Sequence, residues 1–171
     1  MQLILYRHAK SSWDNLDHDD HERPLNERGT KAAPKMAHWM AGQGLKPDLV
    51  LCSHAVRTRA TLALTLPAFE DPSPDIIIDE ALYLATAETI LSRVRVHAGH
   101  APCVMVVGHN PGLHALALSL AGSGSPADIE ALAMKFPTAA VAVLDLGDKG
   151  VSDDIVGRCR LSAFQVPRNL E

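Results

Sequence analysis

Cysteine is scarce in this sequence, and the few cysteines that occur exclude two classes of protein. Three lie among 171 residues, widely spaced and inside or beside apolar runs. No CxxC pair with the spacing of a zinc site is present, and isolated thiols cannot build the disulfide framework of a small secreted domain. We therefore expect reduced, buried thiols at Cys52, Cys103 and Cys159.

Excess basic charge and long apolar runs are also missing. The net charge is −4 and the isoelectric point about 6.1, so no overall positive field attracts nucleic acid, and an anionic substrate needs a local basic pocket. The apolar run at residues 3–6 meets Arg7 at once, which makes it too short for a signal peptide core or a membrane span. The sequence predicts a cytoplasmic protein without nucleic-acid or membrane partners.

What the sequence does contain is an alternation of strand-like and helix-like segments. Its length and its content of 47% hydrophobic and 21% charged residues suit a single globular domain over residues 1–171. Short apolar runs separated by helical patterns are typical of βα units. We therefore predict an α/β fold, a three-layer sandwich with a mostly parallel central sheet and helices on both faces. Strands are expected at residues 3–6, 49–52, 76–78, 103–107, 139–146 and about 157–164.

Capping residues predict where the helices begin. Asn26 is placed to cap a helix that ends near residue 42 or 44, and Ser53 is placed to cap one that ends near residue 66. The Asp- and His-rich segment 14–25 predicts a loop. Two further helices are expected, at residues 87–96 and from Pro111 onwards, and residues 123–126 predict a flexible turn.

Polar side chains follow three of the predicted strands. The first strand runs into Arg7 and His8. The second runs into residues 53–54, with Arg57 a turn later, and the fourth runs into His109. Because the carboxyl ends of parallel strands meet at one edge of the sheet, we expect these guanidinium and imidazole groups to share a site.

These residue types suit the chemistry of phosphate. Arg7 and Arg57 supply planar, forked donors that match phosphoryl oxygens, and the helix that Ser53 is expected to cap would direct its amide N–H groups at the same anion. A neutral imidazole can attack phosphorus and carry the phosphoryl group covalently. Two nearby guanidinium groups favour the neutral ring because they lower its pKa. The pattern predicts phosphoryl transfer through a histidine.

Four ordered segments resemble the signature of a known family. They are residues 5–13 (LYRHAKSSW), 23–29 (RPLNERG), 53–58 (SHAVRT) and 107–112 (VGHNPG). Together they resemble the histidine phosphatase superfamily, and within it the phosphohistidine phosphatase SixA subfamily, whose small size also matches. The resemblance implies a phosphoglycerate mutase-like fold and a reaction that needs no metal or cofactor. It also implies that His8 is the nucleophile and that Arg7, Arg57 and His109 surround the phosphoryl group.

The sequence departs from the superfamily pattern in two places. Ala9 follows the predicted nucleophile where many members have glycine, and Asp14 stands where many have an asparagine that touches phosphate, so Asn15 is the expected substitute. Other branches carry an acidic general acid after the third strand. The candidates here are Asp79 and Glu80, without a flanking motif, and we choose Glu80. A site without a committed acid suits phosphohistidine, since an imidazole leaves more readily than an alkoxide.

The remaining polar residues allow both functional and structural interpretations. Lys10 and Ser11 either line the mouth of the pocket or face solvent, and His54 lies either at the rim or at a helix end. Residues 17–21 superficially resemble ligands of a hard metal ion, but nothing orders their carboxylates, so we predict a solvated loop. Residues 108–112 match neither GxGxxG nor GK[ST], which excludes a nucleotide loop.

The sequence hypothesis is therefore a phosphatase that needs neither metal nor cofactor and hydrolyses phosphohistidine on a protein. Its partner would be a phosphorylated protein or a small phosphorylated substrate. Three alternatives stay open. They are a phosphatase or mutase for small phosphomonoesters on the same scaffold, a phosphate-binding module without turnover, and a metal-dependent hydrolase that uses the Asp/His-rich loop.

Overall fold

The computed structural model, which describes residues 1–15, 17–69, 72–148, 150–152 and 154–170, contains a seven-stranded sheet. The strands are β1 (Gln2–Arg7), β2 (Leu49–Ser53), β3 (Asp75–Asp79), β4 (Cys103–Gly108), β5 (Ala121–Gly124), β6 (Val141–Asp145) and β7 (Cys159–Gln165). Their order in the sheet is β3-β2-β4-β1-β6-β7-β5. The first four are parallel, β6 is antiparallel to both of its neighbours, and β5 pairs with β7 in parallel.

Helices cover both faces of this sheet. They are α1 (Glu27–Gly42), α2 (Val56–Thr65), α3 (Ala87–His97), α4 (Gly112–Leu120) and α5 (Pro126–Met134). Side chains of β1 alternate between two apolar clusters, because successive residues of a strand point to opposite faces. Ile4 and Tyr6 pack with α1 and α2, whereas Leu3 and Leu5 pack in the cluster that includes α3, α4 and α5. The predicted three-layer α/β sandwich is confirmed.

Most predicted elements appear at the expected places, but two local predictions are wrong. Asn26 caps α1 as predicted, since its side chain accepts a hydrogen bond from the amide of Gly29. Ser53 does not cap α2. It ends β2 instead, and the cap of α2 is Ala55. The predicted flexible turn at 123–126 contains the end of β5 and the start of α5, because pairing with β7 orders a segment that has no strand pattern of its own.

The strand register aligns the segments that follow β1, β2 and β4. Arg7, the last residue of β1, lies opposite Gly108, the last residue of β4. Cys52, one residue before the end of β2, lies opposite Val107 of β4. The polar residues after these three strands therefore emerge at the same edge of the sheet.

The segment that follows His8 is fixed against the start of α1. Lys10 accepts a hydrogen bond from the amide of Asn26, and Ser11 forms a short antiparallel bridge with Leu25. A Cβ atom on Gly29 would overlap the backbone carbonyl of Lys10, so only glycine allows this close approach. Within the described ranges, no helix combines the length and apolarity needed to cross a bilayer.

Substitution of Gly29 tests this close approach. We expect Gly29→Ala to lower the free energy of unfolding by about 1–3 kcal/mol, because the added methyl group displaces backbone that cannot yield cheaply. Gly42→Ala in the same helix is the matched control. Nothing lies within 4 Å of a Cβ atom there, so this variant should be neutral or slightly more stable. Denaturant unfolding measures both, and equal stabilities would contradict the prediction.

Candidate active site

A cavity of about 380 Å³ lies where β1, β2 and β4 end. The four residues that the sequence predicted as its centre, Arg7, His8, Arg57 and His109, all line it. Lys10 and Ser11, predicted for the mouth of the pocket, line it as well. The other lining residues are Trp13, Asp20, Arg23, Leu84, Asn110 and Thr138.

The hydrogen bond of His8 determines which of its ring nitrogens is free. Nδ1 lies 2.8 Å from the backbone oxygen of Ala9, which can only accept. The neutral ring therefore carries its proton on Nδ1 and keeps an unshared electron pair on Nε2. The pKa of His8 is lowered to about 4, chiefly by burial and also by the guanidinium groups of Arg57, Arg7 and Arg23, against the opposing effect of the Ala9 bond.

His109 adopts the opposite tautomer. Its Nδ1 faces a guanidinium nitrogen of Arg57 at 3.4 Å, and because a guanidinium group can only donate, Nδ1 accepts. Nε2 then donates to the hydroxyl of Ser53 at 2.8 Å. The centroids of the His8 and His109 rings are 5.3 Å apart. Burial lowers the pKa of His109 to about 3, with His8 and Arg57 acting in the same direction, so both imidazoles are neutral at pH 7.

Each of the two predicted arginines donates a hydrogen bond to a backbone oxygen. Arg7 donates from Nη1 to the carbonyl of Phe136 at 2.9 Å, and its buried Nε has no hydrogen-bond partner. Burial and the nearby Arg57 lower the pKa of Arg7. Arg57 is 3% exposed and donates to the backbone oxygen of Asp20. A buried N–H without a partner is unfavourable, and Arg7 is one of the residues that line the cavity.

Arg23 is a site residue that the sequence analysis did not single out. Its guanidinium group is buried and donates to the hydroxyl of Ser11 at 2.7 Å and to the backbone oxygen of Ser12 at 3.0 Å. It also lies 3.2 Å from the ring centroid of Trp13, in a cation–π arrangement. The available signal was its position within the segment 23–29 that carries the family resemblance.

Residues 17–20 are exposed, as a solvated loop requires, but the carboxylate of Asp20 is ordered by hydrogen bonds, which the sequence did not indicate. This carboxylate accepts hydrogen bonds from Arg57 at 2.9 Å, from Arg23 at 3.0 Å and from the hydroxyl of Tyr83 at 2.5 Å. The bond from Tyr83, followed by those from Arg57 and Arg23, holds the pKa of Asp20 well below its usual range. Of the carboxylates in the described part of the chain, only that of Asp20 lines the cavity.

Two further candidates from the sequence do not reach the cavity, which corrects both expectations. Glu80 is exposed in the 3-10 turn Glu80–Leu82 and is not among the described residues that line the cavity. Its neighbour Asp79 accepts hydrogen bonds from Arg93 and from the amide of Ala81. Asn15 is exposed and accepts from the amide of the residue two positions on.

The remaining polar groups lie around the site. Asp14 accepts a hydrogen bond from Ser12 at 2.7 Å, outside the cavity lining. The ring of His54 packs edge-on against Tyr83, with centroids 5.3 Å apart, and the ring of Tyr83 packs in the same way against His109. In the ranges that the structure describes, no group of three or more His, Cys, Asp or Glu side chains could hold a metal ion.

The cavity is strongly positive although the chain is acidic. Its described lining contains three guanidinium groups, the ammonium group of Lys10 and one carboxylate, that of Asp20. The net charge of the whole chain is −4. Forked guanidinium donors and a buried, uncharged imidazole are the groups expected around a tetrahedral oxyanion that carries two negative charges. The arrangement can bind a phosphoryl group and present a nucleophilic nitrogen to it.

Comparison with known proteins agrees with this geometry. Residues 3–83 match the family model of the histidine phosphatase superfamily (branch 1). An uncharacterized protein of Mycobacterium tuberculosis is 37% identical over 165 residues, which cover 95% of this chain and 99% of that protein.

Two solved structures are similar over almost the whole chain. One is a candidate phosphohistidine phosphatase SixA from Agrobacterium tumefaciens, with 34% identity, a TM-score of 0.81 and coverage of 97% of both chains. Another candidate SixA, from Nakamurella multipartitia, has 29% identity and a TM-score of 0.80, and the match covers 97% of this chain and 95% of that one. With the sequence segments, the fold and the site all in agreement, the chain belongs to the histidine phosphatase superfamily.

Proposed function

We propose that this phosphatase hydrolyses phosphohistidine on proteins through a covalent intermediate on His8, with residues 1–171 acting as one catalytic domain. The observation that carries the proposal is the hydrogen bond from Nδ1 of His8 to the carbonyl of Ala9. It leaves Nε2 unprotonated inside a cavity lined by three guanidinium groups.

In the first step, Nε2 of His8 attacks phosphorus in line with the bond to the leaving nitrogen. A bond forms between Nε2 and phosphorus while the P–N bond of the substrate breaks. Arg7 and Arg57, which both line the cavity, hold the phosphoryl oxygens. The departing imidazole leaves as a neutral ring because its other nitrogen takes a proton from solvent.

In the second step, water attacks phosphorus and the bond to Nε2 of His8 breaks, which releases inorganic phosphate. The proton on Nδ1 of His8 stays bonded to the Ala9 carbonyl throughout. His8 therefore also departs as a neutral imidazole, which is a far better leaving group than an imidazolate. The same hydrogen bond supports both the attack and the release.

His109 and Asp20 act on the arginines that bind phosphate. Asp20 is bonded to both Arg57 and Arg23, so its carboxylate offsets the repulsion between these guanidinium groups. His109, oriented by Ser53, faces Arg57 through Nδ1 and lies beside the phosphoryl group. When Arg57 turns to a bound phosphoryl group it frees Nδ1 of His109, and the dianion then favours protonation of this nitrogen, which donates to a phosphoryl oxygen.

The carboxylate content of the cavity favours phosphohistidine over phosphate esters. Expulsion of an alkoxide needs a positioned acid, and the sole carboxylate among the described lining residues is that of Asp20. Its low pKa keeps it ionised, so it has no proton to give. An imidazole leaving group can take its proton from solvent, so the lack of an acid in the cavity slows its departure only slightly.

Replacement of the nucleophile tests the covalent step. We expect His8→Ala to lower kcat/KM by about 10⁴-fold or more, because no other group can accept the phosphoryl group. Acid-labile, base-stable phosphate should be trapped on the wild-type protein during turnover and be absent from the variant. His38→Ala, which removes an exposed histidine of α1, is the matched control and should behave as wild type. Phosphate trapped on His8→Ala would contradict the mechanism.

A pH titration tests the neutrality of the two rings. In ¹⁵N-histidine NMR spectra, His8 and His109 should remain neutral to well below pH 6, with midpoints near their pKa values of about 4 and about 3. Both pKa values lie below that of an unfolded histidine, so the unfolded state binds more protons in this range and the free energy of unfolding falls as the pH falls below about 6.5. Midpoints near 6.5 for His8 or His109 would contradict the prediction.

A substrate panel tests the leaving-group argument. We expect kcat/KM for phosphohistidine to exceed that for phosphoserine and sugar phosphates by about 100-fold or more, since the esters lack a proton donor. The rate of phosphate release is measured for every substrate under the same conditions, and His8→Ala gives the background rate. Faster hydrolysis of the esters would favour a small-molecule phosphomonoesterase instead.

A further inference from the structure

A second and larger groove opens beside the catalytic cavity. It has a volume of about 880 Å³ and is bordered by α1, by α5 and the residues after it, and by the segment from the end of β7 to residue 169. Lys10 and Thr138 line both the groove and the cavity, so the two are adjacent. Nothing in the phosphatase mechanism uses this groove.

The groove carries a concentration of positive charge. Arg28, Lys31 and Lys35 are exposed and follow a spacing of three and four residues, which places them on one face of α1. Exposed basic side chains also come from Lys10, Lys135 and Arg168, whereas the lining contains two carboxylates, those of Asp128 and Glu130. The chain as a whole has a net charge of −4, so this concentration is local.

Apolar side chains lie between these charges. Ala32 and Ala131 line the groove, and Phe164 and Val166, both largely buried, line it from the end of β7. Met134 is 78% exposed, and a flexible, exposed methionine suits contact with an apolar side chain of a partner. The groove therefore combines charged walls with apolar contacts, as peptide-binding surfaces do.

We propose that the groove binds an acidic segment of the phosphorylated protein whose histidine enters the cavity. This inference rests on the proposed function and adds the chemistry of the partner to it. A phosphoryl group and one imidazole ring occupy only the smaller cavity, so a substrate that also fills the groove must extend well beyond its reacting side chain. Negative side chains flanked by apolar ones complement this surface, and the positive field speeds encounter with such a partner.

Two phosphohistidine peptides test the proposal. One carries a segment of alternating acidic and leucine residues next to the phosphohistidine, and the other has glutamine in place of each acidic residue. We expect kcat/KM to be about tenfold higher for the acidic peptide, because each exposed ion pair contributes modestly. The difference should arise from a lower KM, since these charges act when the peptide and the enzyme meet. The preference for the acidic peptide should disappear at about 1 M salt, where the electrostatic screening length falls to about 3 Å.

Charge reversal in the groove provides the decisive comparison. Lys31→Glu/Lys35→Glu should abolish the preference for the acidic peptide and leave hydrolysis of free phosphohistidine unchanged. Arg59→Glu/Arg158→Glu makes the same change in net charge at exposed positions outside the groove and should keep the preference. Lys31→Gln/Lys35→Gln, expected to give an intermediate effect, replaces the reversal variant should that fail to fold.

Direct binding separates this proposal from the proposed function. A fluorescent, non-phosphorylated form of the acidic peptide should bind wild type more tightly than Lys31→Glu/Lys35→Glu, whether or not phosphohistidine is hydrolysed. Binding without hydrolysis would sustain the groove and refute the proposed activity. Hydrolysis with equal kcat/KM for both peptides would refute the groove alone. Tighter binding of duplex DNA or of vesicles containing phosphatidylglycerol than of the acidic peptide would also overturn it.

Discussion

The site depends on keeping several guanidinium groups close to an uncharged imidazole. Like charges repel, and a buried guanidinium group without partners is unfavourable. The structure meets this constraint with acceptors supplied by distant parts of the chain. The carbonyl of Phe136 fixes Arg7, and Asp20 bridges Arg57 and Arg23. The resulting positive environment, together with burial, keeps His8 neutral and therefore able to act as a nucleophile.

Hydrogen bonds to the imidazole rings of His8 and His109 give the two rings different tautomers. His8 has its proton on Nδ1 because its partner is a carbonyl oxygen, and His109 has its proton on Nε2 because Arg57 occupies the other nitrogen. Two histidines with centroids 5.3 Å apart thus present different atoms to the same cavity. Residue type alone could not distinguish them, and the difference arises from their neighbours.

The cavity and the groove suggest separate contributions to one reaction. In the reaction that we propose, the cavity supplies fixed donors and the nucleophile, whereas the groove offers exposed cations and an exposed methionine. Fixed donors favour the transition state, and exposed charges mainly affect encounter and selection of the partner. Lys10, which lines both, lies two residues after His8, so the proposed recognition surface and the proposed nucleophile adjoin the end of one strand.

The sequence by itself determined the sandwich and predicted that Arg7, His8, Arg57 and His109 share one cavity, because they end or follow strands whose apolar pattern is local and whose carboxyl ends must meet. Only the tertiary structure decided which loop residues reach them. Asp20 and Arg23 enter the site through contacts between segments far apart in the chain, and Ser53 bonds to His109 instead of capping a helix. Local capping and spacing rules contain no information about the path of a loop over the sheet edge. For the same reason Glu80, chosen from its position after a strand, is not among the described residues that line the cavity.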